Sequence, residues 1–134
     1  MTTDPKRARI LIVEDDHWNG KLFRHLLGKH FDIELVEDVE SALELARHGD
    51  FDLFLLDINL GEALTGVDLL EMLRQMPAYD TTPAVSCTAY AGRRYRDHFL
   101  ASGFDVHVDK PYSRRGLLGA IDQALAGDGL HGQT

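Results

Sequence analysis

Apolar positions along this chain follow two alternating periods. Unbroken apolar runs of strand length, Ile10-Leu11-Ile12-Val13 and Leu53-Phe54-Leu55-Leu56, suit parallel strands covered on both faces, and Ala84-Val85-Ser86-Cys87 reads as another strand. Ile33 and Leu35 alternate with Asp32 and Glu34 as in a strand nearer an edge, and Asp105-Val106-His107-Val108 makes a fifth strand. Between the strands the apolar spacing becomes helical. Leu22, Phe23, Leu26 and Leu27 predict a helix over about 17–29, weakened by Gly20, and Val39, Ala42, Leu43 and Ala46 predict one over 38–47. Val67, Leu69, Leu70 and Leu73 mark a third helix. Residues 92–101 form a fourth, arginine-rich on one side, and Leu117, Leu118, Ile121 and Leu125 define a fifth over 113–126. Punctuation agrees with the pattern: Asp16 and Thr65 are placed to cap helix starts, Gly49 and Gly103 to close helices, and Pro77 and Pro83 bracket a loop.

Five strands alternating with five helices describe an α/β fold with a doubly wound five-stranded parallel sheet, because crossover connections put helices on both faces. The 134 residues, 44% apolar and 27% charged, allow one domain with a proper core. We expect a mobile lead-in over residues 1–8, a single domain over 9–126 and a glycine-rich flexible tail over 127–134, with no repeat, linker or further effector domain. The polar start MTTDPKRAR has no signal-peptide core, so a cytoplasmic protein without membrane insertion is expected. A net charge of −8 argues against a nucleic-acid partner. The single cysteine, Cys87, cannot form an internal disulfide and reads as a small core residue, and none of the seven scattered histidines shows the close pairing of a zinc site.

Candidate chemistry lies where the strands stop. The first ends on Glu14, Asp15 and Asp16, the third on Asp57, the fourth on Thr88, and the last leads to Asp109-Lys110-Pro111. In a parallel sheet these positions gather at the carboxyl edge, where open α/β folds bind ligands. Asp57 is not needed as a helix cap, since Thr65 is better placed for that. Three converging carboxylates repel one another and are costly to desolvate, so they imply a compensating cation. Magnesium fits a shallow oxygen-lined edge that also takes a phosphate. Lys110 supplies a second positive charge for phosphoryl oxygens, the Thr88 hydroxyl supplies a hydrogen bond, and Asp57 is a carboxylate suited to forming an aspartyl-phosphate.

ILIVEDD, LFLLDINL, SCTAYA and VDKPY, together highly specific, resemble the receiver domain of two-component response regulators of the single-domain CheY-like kind, over residues 8–126. The resemblance implies a flavodoxin-like (βα)5 fold with strand order 2-1-3-4-5. It implies that Asp57 accepts a phosphoryl group from a sensor histidine kinase or a histidine phosphotransfer protein, in a self-catalysed reaction rather than as an enzyme acting on a substrate. It further implies Mg2+ held by Glu14, Asp15, Asp57 and the backbone carbonyl of Asn59. Thr88 would move toward the phosphoryl group, and His107 stands at the aromatic switch position, three residues before Lys110.

Some positions depart from the family pattern. His107 is smaller and more polar than the usual tyrosine or phenylalanine, and charging it is expected to oppose its burial; a switch and a partly exposed strand residue are both open readings here. Gly61 stands where many relatives have proline, in a loop from Asp57 to Gly66 that looks one residue longer than the commonest pattern. A degenerate receiver, folded but not phosphorylated, is an alternative that the competent residues at every site position oppose. A haloacid-dehalogenase-like phosphohydrolase would need a second aspartate where Asn59 stands. A flavodoxin-like cofactor carrier would place a flavin phosphate against the acids after the first strand. Arg93, Arg94, Arg96, Arg114 and Arg115 could form a partner-binding basic face or simply be solvated; Trp18 could meet a donor helix, and Phe23 reads as core.

Overall fold

Leu53 to Leu56 carry no polar side chain, so the strand they form must be covered on both faces, and it takes the middle of the sheet. The computed structural model describes residues 7–61, 63–88, 93–110 and 113–127, with the backbone alone for 93–95. The expected lead-in before residue 7, the Ala89-Tyr90-Ala91 part of the fourth motif, Gly92 at the start of the fourth helix, Pro111-Tyr112 and the tail from 128 lie outside the described residues. In chain order the elements are β1 (Arg9–Val13), α1 (His17–Leu27), β2 (Asp32–Val36), α2 (Val39–His48), β3 (Leu53–Asp57), α3 (Gly66–Arg74), a 3-10 turn (Pro77–Tyr79), β4 (Ala84–Thr88), α4 (Arg93–Ala101), β5 (Val106–Asp109) and α5 (Arg114–Leu125). The five strands form one sheet in the order β2-β1-β3-β4-β5, and all four pairings are parallel. This is the doubly wound arrangement expected from the alternating periods.

Side chains alternate across the sheet and build two cores. Leu11, Val13, Phe54 and Leu56 pack with Ala42, Leu69, Leu70 and Phe99 of α2, α3 and α4, while Ile10, Ile12, Leu53 and Leu55 pack with Phe23, Leu27, Leu117 and Ile121 of α1 and α5. Each fully buried Leu, Ile or Phe contributes about 1.5–3 kcal/mol, which makes the central strands the best-stabilised part of the molecule. Phe23 and Cys87 are core residues, as read from the sequence.

Helix starts are capped where the sequence placed caps. Asp16 accepts from the amides of Trp18 and Asn19, and Thr65 forms a reciprocal capping box with Asp68. Asp38 is the cap of α2 rather than its first residue, accepting from Ser41 at 2.7 Å. The structure departs from the expected boundaries elsewhere as well, Ser113 and Ala126 being the caps of α5 rather than its end residues. Helix α1 stops at Leu27, whose carbonyl oxygen accepts from the amides of His30 and Phe31. Asp105 precedes β5 instead of opening it: its carboxylate accepts the Ala84 amide at 2.9 Å and closes the ladder from outside. The stretch bracketed by Pro77 and Pro83 contains the 3-10 turn, whose Tyr79 is buried edge-on to Phe54 with its hydroxyl 2.7 Å from the Ala46 carbonyl oxygen. Tyr79 thereby ties the end of α2 to the loop before β4.

Candidate functional site

The same alternation that points Ile10 and Ile12 toward α1 and α5 continues to Glu14, and that of Leu53 and Leu55 continues to Asp57. Val13 pairs with Leu56 and Asp57 with Cys87, so parallel register brings the two acids side by side just past the core. Glu14 is 1% exposed and Asp57 3%; Asp15, one residue on, is exposed. The structure thus places two of the predicted acids inside and one at the rim.

Lys110 enters from the opposite side. Its amide bonds the Thr88 carbonyl at 2.9 Å, which fixes the end of β5 against β4. Its ammonium lies 3.0 Å from Glu14 Oε1 and 3.3 Å from Asp57 Oδ2, bridging the two carboxylates. Burial lowers the Lys110 pKa, but Asp57, Glu14 and Cys87 outweigh it and hold the ammonium more strongly protonated than usual. Burial, followed by the adjacent Asp57, pushes the Glu14 carboxyl up to about 8, against the Asp16 amide and Lys110, which lower it. The Asp16 amide donates to Glu14 Oε2 at 3.1 Å, and the Asn59 amide donates to Asp57 Oδ1 at 3.2 Å.

These groups line a cleft of about 600 Å3 that also includes Asp15, Asp16, Asn19, Asn59, Gly61 and Thr88. Every predicted metal or phosphoryl residue borders it. His107 does not; it lies on β5 away from the cleft. Glu14 Oε1 is buried and meets the Lys110 ammonium at 3.0 Å. The buried carboxylates of Glu14 and Asp57, in a cleft that Asp15 also lines, are a donor set that fits a hard divalent cation. The inner trio of Glu14, Asp57 and Cys87, whose ligand atoms lie within 4.8 Å of one another, faces the Lys110 ammonium.

Glycines shape the cleft in ways the sequence did not disclose. Gly61 has φ +71, which proline cannot adopt, and a Cβ there would sit 2.8 Å from Asp15 Oδ2. The proline-to-glycine departure thus lets the loop after β3 close over the acidic rim. A Cβ on Gly66 would collide with the Asp57 carbonyl oxygen and approach Ile58 Cα at 3.1 Å, so α3 can start here only because residue 66 has no side chain. Asn19 was also missed. Its position one turn into a helix capped by Asp16 was the signal available.

His107 is enclosed. Its side chain is 1% exposed, its Nδ1 lies 2.8 Å from Ser86 Oγ, its Nε2 lies 2.9 Å from Asp109 Oδ1, and its ring is 5.3 Å from that of Phe99. A charged imidazole would therefore meet a carboxylate, a counter-charge that tempers the expected cost of burying it. Elsewhere, Trp18 is 74% exposed on α1. Arg96, Arg114 and Arg115 are exposed, while the side chains of Arg93 and Arg94 lie outside the described residues.

The response regulator receiver domain family matches residues 10–122. Over 105 residues the chain is 30% identical to the polar-differentiation response regulator DivK of Brucella ovis, covering 78% of this chain and 85% of that protein. It is 28% identical over 132 residues to the signal transduction histidine-protein kinase BarA of Escherichia coli K12; that match covers 97% of this chain but spans only 14% of BarA. Among solved structures, the chemotaxis response regulator CheY4 of Vibrio cholerae superposes with a TM-score of 0.82 at 23% identity, over 89% of this chain and 99% of that one. A CheY-like receiver domain protein of Methanospirillum hungatei superposes at 0.79 with 27% identity, over 90% and 95%.

Proposed function

Because the chain belongs to the response regulator receiver domain family, we propose that Asp57 accepts a phosphoryl group from a histidine kinase or histidine phosphotransfer protein and that the modified protein signals through changed protein contacts or onward transfer. The observation that carries this reading is the convergence of Asp57, Glu14 and Lys110, with Lys110 Nζ at 3.3 and 3.0 Å from the two carboxylates. An oxygen of Asp57 attacks the donor's phosphorus as the donor's phosphorus–nitrogen bond breaks, and the departing imidazole keeps the electron pair. An acyl phosphate results. Lys110 follows the new phosphoryl oxygens, and the Thr88 hydroxyl closes on one of them. Glu14, Asp15, Asp57 and the Asn59 carbonyl would hold Mg2+, which when bound neutralises charge on the transferring group. The chemistry is self-catalysed within one chain. Among the described residues no helix is long and apolar enough to cross a membrane.

Magnesium is expected to bind weakly and to change the fluorescence of Trp18, which stands exposed three residues beyond Asp15. In a fluorescence titration Asp15→Ala should lose most of the response. A mutant that titrated like the parent would put the metal elsewhere.

Beryllofluoride with magnesium, a mimic of the phosphoryl group, tests the proposed response of Thr88. Amide NMR signals around residues 88 and 110 should move more than those of α2, and Thr88→Ala should still bind the mimic while losing most of the shifts beyond the cleft. Shifts confined to the neighbours of Asp57 in the parent, or equal in the Thr88 variant, would remove Thr88 from the mechanism.

A further inference from the structure

Ser86 and His107 face each other in register across β4 and β5, and Asp109 follows two residues on, on the same side of its strand. Ser86 Oγ, the His107 ring and Asp109 Oδ1 make one continuous chain of hydrogen bonds, at 2.8 and 2.9 Å. A carboxylate only accepts, so Asp109 places the imidazole proton on Nε2, and Ser86 donates its hydroxyl proton to Nδ1. The order of groups is that of a catalytic triad, but Ser86 has no exposed surface, which bars it from acting as a nucleophile on a bound substrate. The ring is instead fixed from three sides, with Phe99 of α4 packed against it at 5.3 Å.

We propose that Ser86 and Asp109 form a polar latch that holds the His107 ring turned into the protein before any phosphoryl group is present, so that the face made by β5 and α4 is set by the latch. The consequence rests on the phosphoacceptor reading of Asp57: Thr88 and Lys110 carry the response, while His107 stays in place. Turning the ring out would break both hydrogen bonds, one of them to a carboxylate, and would leave the fully buried Ser86 hydroxyl without its imidazole acceptor. A ring carbon at position 107, as in tyrosine or phenylalanine, could make neither bond. The latch is therefore a property of this sequence, which has serine at 86 and aspartate at 109 to serve an imidazole.

Imidazole nitrogen NMR of the full chain near neutral pH tests the latch. The resting protein should show His107 as a single neutral tautomer with the proton on Nε2. Asp109→Ala should lose that pattern and give signals averaged over both tautomers, Ser86→Ala should keep the proton on Nε2 while the Nδ1 signal shifts as its donor is lost, and Asp109→Asn, which keeps an acceptor oxygen, should retain the parent's tautomer. Averaged tautomers in the parent would overturn the proposal. On adding beryllofluoride and magnesium, the His107 nitrogens should stay put in the parent and shift in Asp109→Ala. An equal shift in both would overturn it as well. Loss of the Thr88 amide response, with the single tautomer intact at rest, would count against the Asp57 reading and leave the latch standing. Asp109 is exposed, so its variants are expected to fold.

Discussion

Asp57→Asn is expected to reduce phosphoryl incorporation from acetyl phosphate and magnesium to background while leaving the protein folded. A carboxamide matches the carboxylate in shape, so the loss would be chemical: the amide oxygen is a poor nucleophile and carries no charge to hold the cation. The substitution also removes one of the like charges packed beside Glu14, whose carboxyl is pushed up to about 8 by burial first and Asp57 second. Denaturant unfolding should therefore show a midpoint no lower than the parent's. Incorporation that persisted in the folded variant would place the acceptor elsewhere.

The second large effect concerns a residue that does no chemistry. Gly66→Ala should destabilise the protein by about 1–3 kcal/mol, since the atoms its Cβ would strike belong to the backbone of Asp57 and Ile58 and not to a flexible side chain. Relief requires α3 to back away or the end of β3 to bend, and either displaces Asp57 from Lys110. Phosphorylation should fall with stability. Gly119→Ala is the control: a Cβ there meets nothing within 4 Å, so the same change inside α5 should raise stability by about 0.5–1 kcal/mol. Urea midpoints of the two variants should move in opposite directions; a neutral Gly66→Ala would show that the β3–α3 junction yields without cost.

Much of this molecule was legible because its strongest signals are local. A buried parallel strand is largely apolar, so an acid at its end stands out, and Asp57 and Glu14 could be placed at one edge from the strand pattern alone. Helix caps are local as well, and Asp16 and Thr65 were found from spacing. What escaped depends on which residues meet across the fold. His107 reads as one polar position in an alternating strand until register sets Ser86 beside it, and the one-residue shift of β5 is what brings Asp109 into the strand. Gly61 looked like a lost proline; its meaning lies in the distance to Asp15 on another loop. Tyr79 sits among turn residues with nothing in its neighbourhood to predict that it would reach the carbonyl of Ala46.

The central claim is that a phosphoryl group becomes bonded to the carboxylate of residue 57. Borohydride reduction of the protein after incubation with acetyl phosphate and magnesium, followed by peptide mass mapping, tests it at the atom concerned, because an acyl phosphate is reduced and an ordinary carboxylate is not. The account predicts homoserine in place of Asp57, dependent on magnesium and absent without the phosphodonor. Reduction at Asp15 or Asp16 in its place, or a base-stable phosphate elsewhere with Asp57 unreduced, would contradict it.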